Sequence, residues 1–386
     1  MIKSILYITR LNPLDLKTWS GTNYFILKCL NRHFKVHTIG PLSNRIRFFY
    51  MLKRFFFSLF KKKFDIDRPK YVLKDFALQI KKKTKNLVYD SVFVTEPSLL
   101  SFINTKKPVF IWSDVVFSTY YSHYFSDKII HPDTTNDGNY FEKISLKKSS
   151  KIFLTSKWAI NDASKFYNIP LSKFSLIPFG ANIKNIPSKK IIIKKIKNRN
   201  VKICKLISIG VHWDRKGMDK AVKIAEMMNL LGQPTVLYIV GASPPTNFLL
   251  PNCVKIFKFL DKNIPKDLKK LYELLYNSHF HVLLTQAEAC GVVFAEASAF
   301  GLYTITHNVG GVGGMIRNNI NGFKFNIKKD SVQKISKYII NIFQNKKNYF
   351  DKSLSSRIEY ENRLNWLKIG KRVKDIIENL NNKKIK

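Results

Sequence analysis

Between Phe280 and Gly301 the chain compresses a strand, a turn and a helix into one short stretch, and this unit limits the fold more than any other. The apolar run Phe280-His-Val-Leu-Leu284 leads into Thr285-Gln-Ala-Glu288-Ala-Cys-Gly291. The Ala-rich run Phe294 to Phe300 follows, and Gly301 can end it. A short strand without polar alternation is one buried on both faces, as in a parallel sheet covered by helices. Glu288 then lies past the strand's C-terminal end, and Glu296 lies early in the helix. In open α/β sheets that edge is where ligands bind, and the N–H groups of a helix start favour an anion such as phosphate.

The same grammar recurs along the 386 residues, a length that suits two domains. Met1 to Thr9 reads as a buried first strand rather than a signal peptide. Trp19-Ser-Gly21-Thr22 and a helical run from Asn23 to Arg32 follow, then a second strand from Phe34 to Ile39. That order is a βαβ opening, in which Gly21 permits close backbone approach to a ligand. Further strands are expected at Leu87–Thr95, at Pro108–Trp112 running into Ser113-Asp114, at Lys151–Thr155 and at Phe174–Gly180. Ser156 is placed to cap the helix that follows it. The aromatic, polar stretch from Tyr120 to Tyr140 lacks a period and is expected as a loop-rich lid. A second series starts at Lys205–Gly210, which runs into Arg215-Lys216-Gly217. The lysine-dense segment between the series gives the domain limits: 1–183, a linker at 184–202, 203–350, and C-terminal helices at 351–386 packing back toward the N-terminal domain.

The net charge of +41 admits nucleic acid, an anionic membrane or an anionic substrate as partner. Lys far outnumbers Arg, which disfavours base reading, and from Val282 to Gly322 the only Lys or Arg is Arg317. Most of the excess is therefore spread over solvated faces. One segment stands apart. Residues 41–64 hold Arg45, Arg47, Lys53, Arg54, Lys61, Lys62 and Lys63 among many aromatics, with no acidic residue. A basic, aromatic helix over 45–63 is expected to lie in an anionic membrane interface. No run reaches the roughly 20 apolar residues of a membrane span. Four cysteines without CxxC spacing point away from zinc and disulfides and toward a reducing compartment. The expected location is the cytoplasm, peripheral on the inner face of the membrane.

Glu288 and Glu296, with Gly291 between them, suit the grasping of hydroxyls along an extended ligand better than a hydrolytic acid–base pair, since desolvated carboxylates accept sugar hydroxyls well. Arg215 and Lys216, after a strand end at the same edge, can hold a diphosphate and stabilise the charge it gains on leaving. Gly310-Gly-Val-Gly-Gly314 can approach phosphate but matches neither common glycine-loop fingerprint. No Ser/His/Asp triad and no metal constellation is visible.

These residues resemble a known family. Ser156-x-Trp158, Pro178-Phe-Gly180-Ala-Asn182, Gly210 with Arg215-Lys216-Gly217, Val240-Gly241, Glu288-x7-Glu296 and the Gly310–Gly314 turn are similar to those of family-four retaining glycosyltransferases of the GT-B fold. The resemblance covers most of the chain. It implies two facing α/β Rossmann-like domains with parallel sheets, an N-terminal acceptor domain and a C-terminal domain holding a nucleotide-diphosphate sugar. It implies that Glu296 binds the ribose hydroxyls, that Glu288 meets the donor hexose near its reacting carbon, and that backbone amides of Gly291, Val292 and Val293 lie near hexose and phosphate. Arg215 and Lys216 neutralise the leaving diphosphate, so that neither metal nor cofactor is expected, and Gly21 and Thr22 close on the donor. A glycan or lipid-linked acceptor follows. Many members carry a histidine where this chain has Ser113-Asp114, which makes Asp114 the candidate at the reaction centre. The usual Gly-Gly of the first loop is the single Gly21. A sugar-nucleotide epimerase of the same fold and a non-enzymatic nucleic-acid binder are the alternatives.

Overall fold

The computed structural model describes residues 2–125 and 129–385, with side chains to Leu380. The chain divides into two compact units, Met1–Pro178 together with Ile369–Lys386, and Phe179–Lys368. In the first unit six parallel strands, β1 (Ser4–Ile8), β2 (Lys35–Ile39), β3 (Ser91–Val94), β4 (Val109–Ser113), β5 (Lys151–Leu154) and β6 (Phe174–Leu176), lie in the order β2-β1-β3-β4-β5-β6. Their side chains show why the runs are apolar throughout. Val92, Phe93, Val94, Phe110, Ile111, Trp112, Ile152, Phe153 and Leu154 are all without solvent contact, as expected where helices cover both faces. The register sets Phe93 beside Phe110 and Trp112 beside Phe153. These rings lie 6.3 and 6.1 Å apart, within range of favourable aromatic pairing.

The second unit repeats the plan with β7 (Cys204–Ile209), β8 (Thr235–Val240), β9 (Val254–Phe257), β10 (Phe280–Leu283), β11 (Tyr303–His307) and β12 (Gly322–Phe325), all parallel, in the order β12-β11-β10-β7-β8-β9. Numbered within the unit this is the Rossmann order 3-2-1-4-5-6. Its direction reverses between β7 and β10. In the first unit the reversal falls between β1 and β3. The crevice at such a reversal, outside the strands' C-terminal ends, is where open α/β sheets take ligands.

Two expectations change. The stretch from Tyr120 to Tyr140 is no loop-rich lid: Phe117–Tyr124 and Pro132–Lys148 are helices, the second started by Pro132 and by a His131 side chain that accepts from the Asp133 N–H. Residues 126–128 within it lie outside the described residues. The segment 184–202, expected as a linker, holds a helix at Lys189–Lys197 capped by Ser188, with Ile192 and Ile196 buried. Ile192 and Ile196 stand one helical turn apart, and the lysines that suggested a linker lie mostly on the exposed face. Arg199 closes the segment, buried, donating to the carbonyls of Tyr276, Phe300 and Gly301 and to the Tyr349 hydroxyl. The last helix, Trp366–Ile385, belongs from Ile369 onward to the first unit. There a Cβ on Gly370 would come within 2.7 Å of Cys29 Sγ. All four cysteines are free thiols.

Candidate active site

In the second unit the loops after β7 and β10 meet at the reversal. After β7 the chain turns through a short helix, Trp213–Lys216, into Gly217, whose left-handed conformation (φ 67°) starts the helix Met218–Leu230. Glycine is required there on two counts. The conformation disfavours side chains, and a Cβ would sit 2.2 Å from the Leu284 carbonyl oxygen. That closeness brings Arg215 and Lys216 onto the β10 loop. The Gln286 N–H donates to the Arg215 carbonyl at 2.8 Å, the Thr285 hydroxyl donates to the same oxygen at 3.0 Å, and Arg215 Nη1 donates to the Ala287 carbonyl at 3.1 Å.

Lys216 Nζ forms an ion pair with Glu288 Oε2, and Arg215 Nη1 lies 3.9 Å from the same oxygen. The two side chains of the close pair are only 11% and 8% exposed. A charge buried so deeply stays only when paired. The Glu288 carbonyl accepts from the Gly311 N–H at 2.8 Å, so the Gly310–Gly314 turn is fastened to this loop.

Gly291, also left-handed (φ 81°), starts the helix Val292–Ala299. A Cβ there would meet the Phe294 ring at 2.5 Å and Glu288 Cγ at 3.2 Å. The first-turn N–H groups, which an α-helix leaves without intrahelical acceptors, belong to Val292 and Val293. From Val293 to Ala299 every residue of this helix is buried, including Glu296. Its carboxylate is paired with Lys262 Nζ, which also donates to the Asn182 carbonyl at 3.2 Å. Lys262 escaped the sequence reading because one lysine among so many carries no signal. Asn182 stood in a quoted motif without a role; its side chain accepts from Trp366 Nε1 at 3.1 Å. His281, behind this loop on β10, is fully buried; desolvation above all, and then Lys216, holds it down to about 3, so it is neutral at ordinary pH.

The first unit holds Gly21, Thr22 and Asp114. Gly21 (φ 79°) precedes the helix Thr22–Leu30, and Thr22 is buried. The two residues before it, Trp19 and Ser20, are left-handed as well (φ 47° and 54°). That bend carries the Trp19 ring to Asp114, where Nε1 donates to Oδ2 at 3.3 Å. The Val115 N–H donates to the other carboxylate oxygen at 2.9 Å. Desolvation still holds the Asp114 carboxyl above the usual carboxylate range, against those hydrogen bonds. At this unit's own reversal, between the ends of β1 and β3, Arg10 pairs with Glu96 at 3.0 Å and with Asp67 at 2.8 Å. The sequence reading missed this group, and a single Arg just past a strand end was its only trace. Among the described residues no cluster of three or more His, Cys, Asp or Glu could hold a metal ion.

Residues 189–363 match the family described as glycosyl transferases group 1. The match lies wholly within the second unit, around the loops just described. Curated protein sequences give no match. Among solved structures, the chain is similar to sucrose-phosphate synthase from Thermosynechococcus elongatus, with a TM-score of 0.69 at 16% identity over 98% of this chain and 99% of that one. It is similar to a glycosyltransferase from Rickettsia africae (TM-score 0.66, 14% identity, 98% of each chain). It is also similar to WaaG, a glycosyltransferase involved in lipopolysaccharide biosynthesis (TM-score 0.63, 15% identity, 97% of this chain and 99% of that one). The fold is GT-B, built of two Rossmann-like units with parallel sheets. The family match and this fold support a glycosyltransferase.

Proposed function

We propose that the chain is a retaining hexosyltransferase of glycosyltransferase family four, taking its sugar from a nucleotide diphosphate and giving it to an acceptor hydroxyl of a glycan or lipid-linked glycan. The carrying observation is the buried Lys216–Glu288 pair at the β7/β10 reversal, beside the buried Glu296 and the helix start at Gly291. That the similar protein HepE from Anabaena is solved with UDP and glucose, and with UDP-glucose, supports a nucleotide-diphosphate sugar as the donor class. Glu296 would accept the ribose hydroxyls and Glu288 a hexose hydroxyl, each gaining from desolvation. The N–H groups of Val292 and Val293 would face phosphate.

Arg215 and Lys216 would stabilise the charge that grows on the diphosphate as its bond to the anomeric carbon breaks. The acceptor oxygen then bonds to that carbon from the same face, and its proton passes to the departing phosphate oxygen. Two cations at the phosphate take the place of a metal in this scheme, and Gly21 and Thr22 lie on the loop that would cover the donor. The test is Lys216→Ala and Glu296→Ala, assayed by turnover of a panel of sugar nucleotides, with circular dichroism to confirm folding. Lys216→Ala is expected to lower turnover about 100-fold to 1,000-fold. Undiminished turnover in both variants removes the site assignment. Donor incubated without acceptor separates transfer from epimerisation, since an epimerase would convert it to a second sugar nucleotide.

A further inference from the structure

The helix Arg47–Leu59 is built the wrong way round for a helix on a water-facing surface. Among the described residues Tyr50 is the one member of this helix that is buried; it stacks on Phe64 at 6.2 Å, and Phe57 stacks on the His131 ring at 3.7 Å. Lys53, beside them, reaches Asp133 at 2.7 Å. At roughly 100° per residue, this leaves about half the circumference facing outward, and that half is apolar. Phe48, Phe49, Leu52, Phe55, Phe56 and Leu59 all lie on it, from 55% to 77% exposed. An ordinary surface helix presents its polar face to water, and a contiguous apolar patch of this kind marks a contact surface. The flanks are cationic. Arg47 and Arg54 share one edge with Ser58, and Lys61, Lys62 and Lys63 follow directly at the C-terminal end. No acidic residue occurs between Pro41 and Phe64.

We propose that this face docks on a bilayer surface rich in anionic phospholipid, with the phenylalanine arc sunk to the acyl boundary and the arginines and lysines at headgroup level. Charge selects this occupant over a second copy of the chain. A self-complementary contact would bring the same cationic flank of each copy to the other, within chains that each carry +41. Anionic headgroups neutralise that flank, while the acyl boundary takes the aromatic face. No described helix is long and apolar enough to cross a membrane, so the contact is interfacial. The inference does not rest on the donor site and is tested without it.

The experiment is sedimentation of the purified full chain with vesicles of equal parts phosphatidylglycerol and phosphatidylcholine, against phosphatidylcholine alone. Binding is expected to be stronger on the anionic vesicles, by roughly fivefold for each engaged cation, and to weaken with added salt. Replacing Phe48, Phe49, Phe55 and Phe56 together by serine should lower binding at least about tenfold. So should Arg47→Glu with Arg54→Glu. Because the serine variant can lose its fold, Phe55→Trp provides a conservative second measurement: its emission should shift to the blue when anionic vesicles are added. Absence of vesicle binding by the unaltered chain, an unshifted Trp emission, or binding that survives the charge reversal would each overturn the proposal. So would a dimer in sedimentation velocity that the serine variant dissolves while vesicles go unbound, since that outcome names a second copy as the occupant.

Discussion

The loop after β1 and the loop after β7 do the same job in the two units. Each leaves the first strand of its sheet and enters the first covering helix through a left-handed glycine, Gly21 or Gly217. Their interiors differ. The β7 loop spans residues 210–217, with backbone fixed by the Leu284 carbonyl and by bonds to Thr285 and Gln286. The β1 loop spans 9–21 and reaches its glycine through two non-glycine left-handed residues, Trp19 and Ser20. The charge pairing follows the same division. In the second unit two deeply buried carboxylates are each matched by a lysine, Glu288 by Lys216 and Glu296 by Lys262. In the first unit the Arg10–Glu96 pair is 32% and 23% exposed, and Asp114 leans on neutral donors. One edge is built around two buried, paired carboxylates. The other keeps backbone strain at Trp19 and Ser20 and pairs its charges less deeply.

The sharpest way to break this comparison is at the glycines. Gly217→Ala should destabilise the second unit by at least about 3 kcal/mol, because the Cβ meets backbone and the conformation is left-handed. Gly232→Ala has an equally left-handed backbone with no atom within 4 Å of the new Cβ, and should cost only about 1 kcal/mol. Ser20→Gly in the β1 loop should cost nothing or gain up to about 1 kcal/mol. Urea melts of the three variants check this, and equal losses would erase the distinction between the loops.

A smaller effect concerns the lysine on Glu296. Lys262→Met leaves a buried carboxylate without its cation and should cost about 3 kcal/mol. Adding Glu296→Gln should recover part of that loss, with a coupling of about 1–3 kcal/mol in the double-mutant cycle. Arg10→Met, at the more exposed pair, should cost no more than about 1 kcal/mol. Strict additivity at Lys262 and Glu296 would show that their contact contributes nothing.

The smallest effect is a shift in pH dependence. The Trp19 N–H favours the ionised form of Asp114, so Trp19→Phe should raise the Asp114 pKa further above its ordinary value. If ionised Asp114 serves the reaction, activity falls as pH drops through that pKa, and the acid limb of the rate profile moves to higher pH in the variant. Asp114→Asn should abolish that limb. An acid limb that is identical in Trp19→Phe would separate Asp114 from the reaction.

The alternation of short apolar strands with helices was legible because it is local: burial on both faces demands unbroken hydrophobic runs, and glycines mark where strands end. Gly291 and Gly217 could be singled out for the same reason, and Glu288 and Glu296 stood out as charges in an apolar frame. The aromatic, basic character of residues 45–63 was equally plain. What failed was also physical. The stretch from Tyr120 to Tyr140 hides parts of two helices because the helical positions it buries are Thr134 and Gly138, with Phe117 and Phe141 just outside it, rather than an aliphatic period. Lysines at 189–197 masked a helix that buries Ile192 and Ile196.

Thus the sequence alone determined the parallel α/β architecture, the residue types at the β7/β10 edge and the basic aromatic segment, since each depends on composition and spacing within a few turns. Tertiary structure alone decided that Lys216 falls on Glu288, that Lys262 falls on Glu296, that Trp19 reaches Asp114, and which half of the helix Arg47–Leu59 faces outward. Those pairings join residues 34 to 95 positions apart, and strand order sets such distances where no local pattern can.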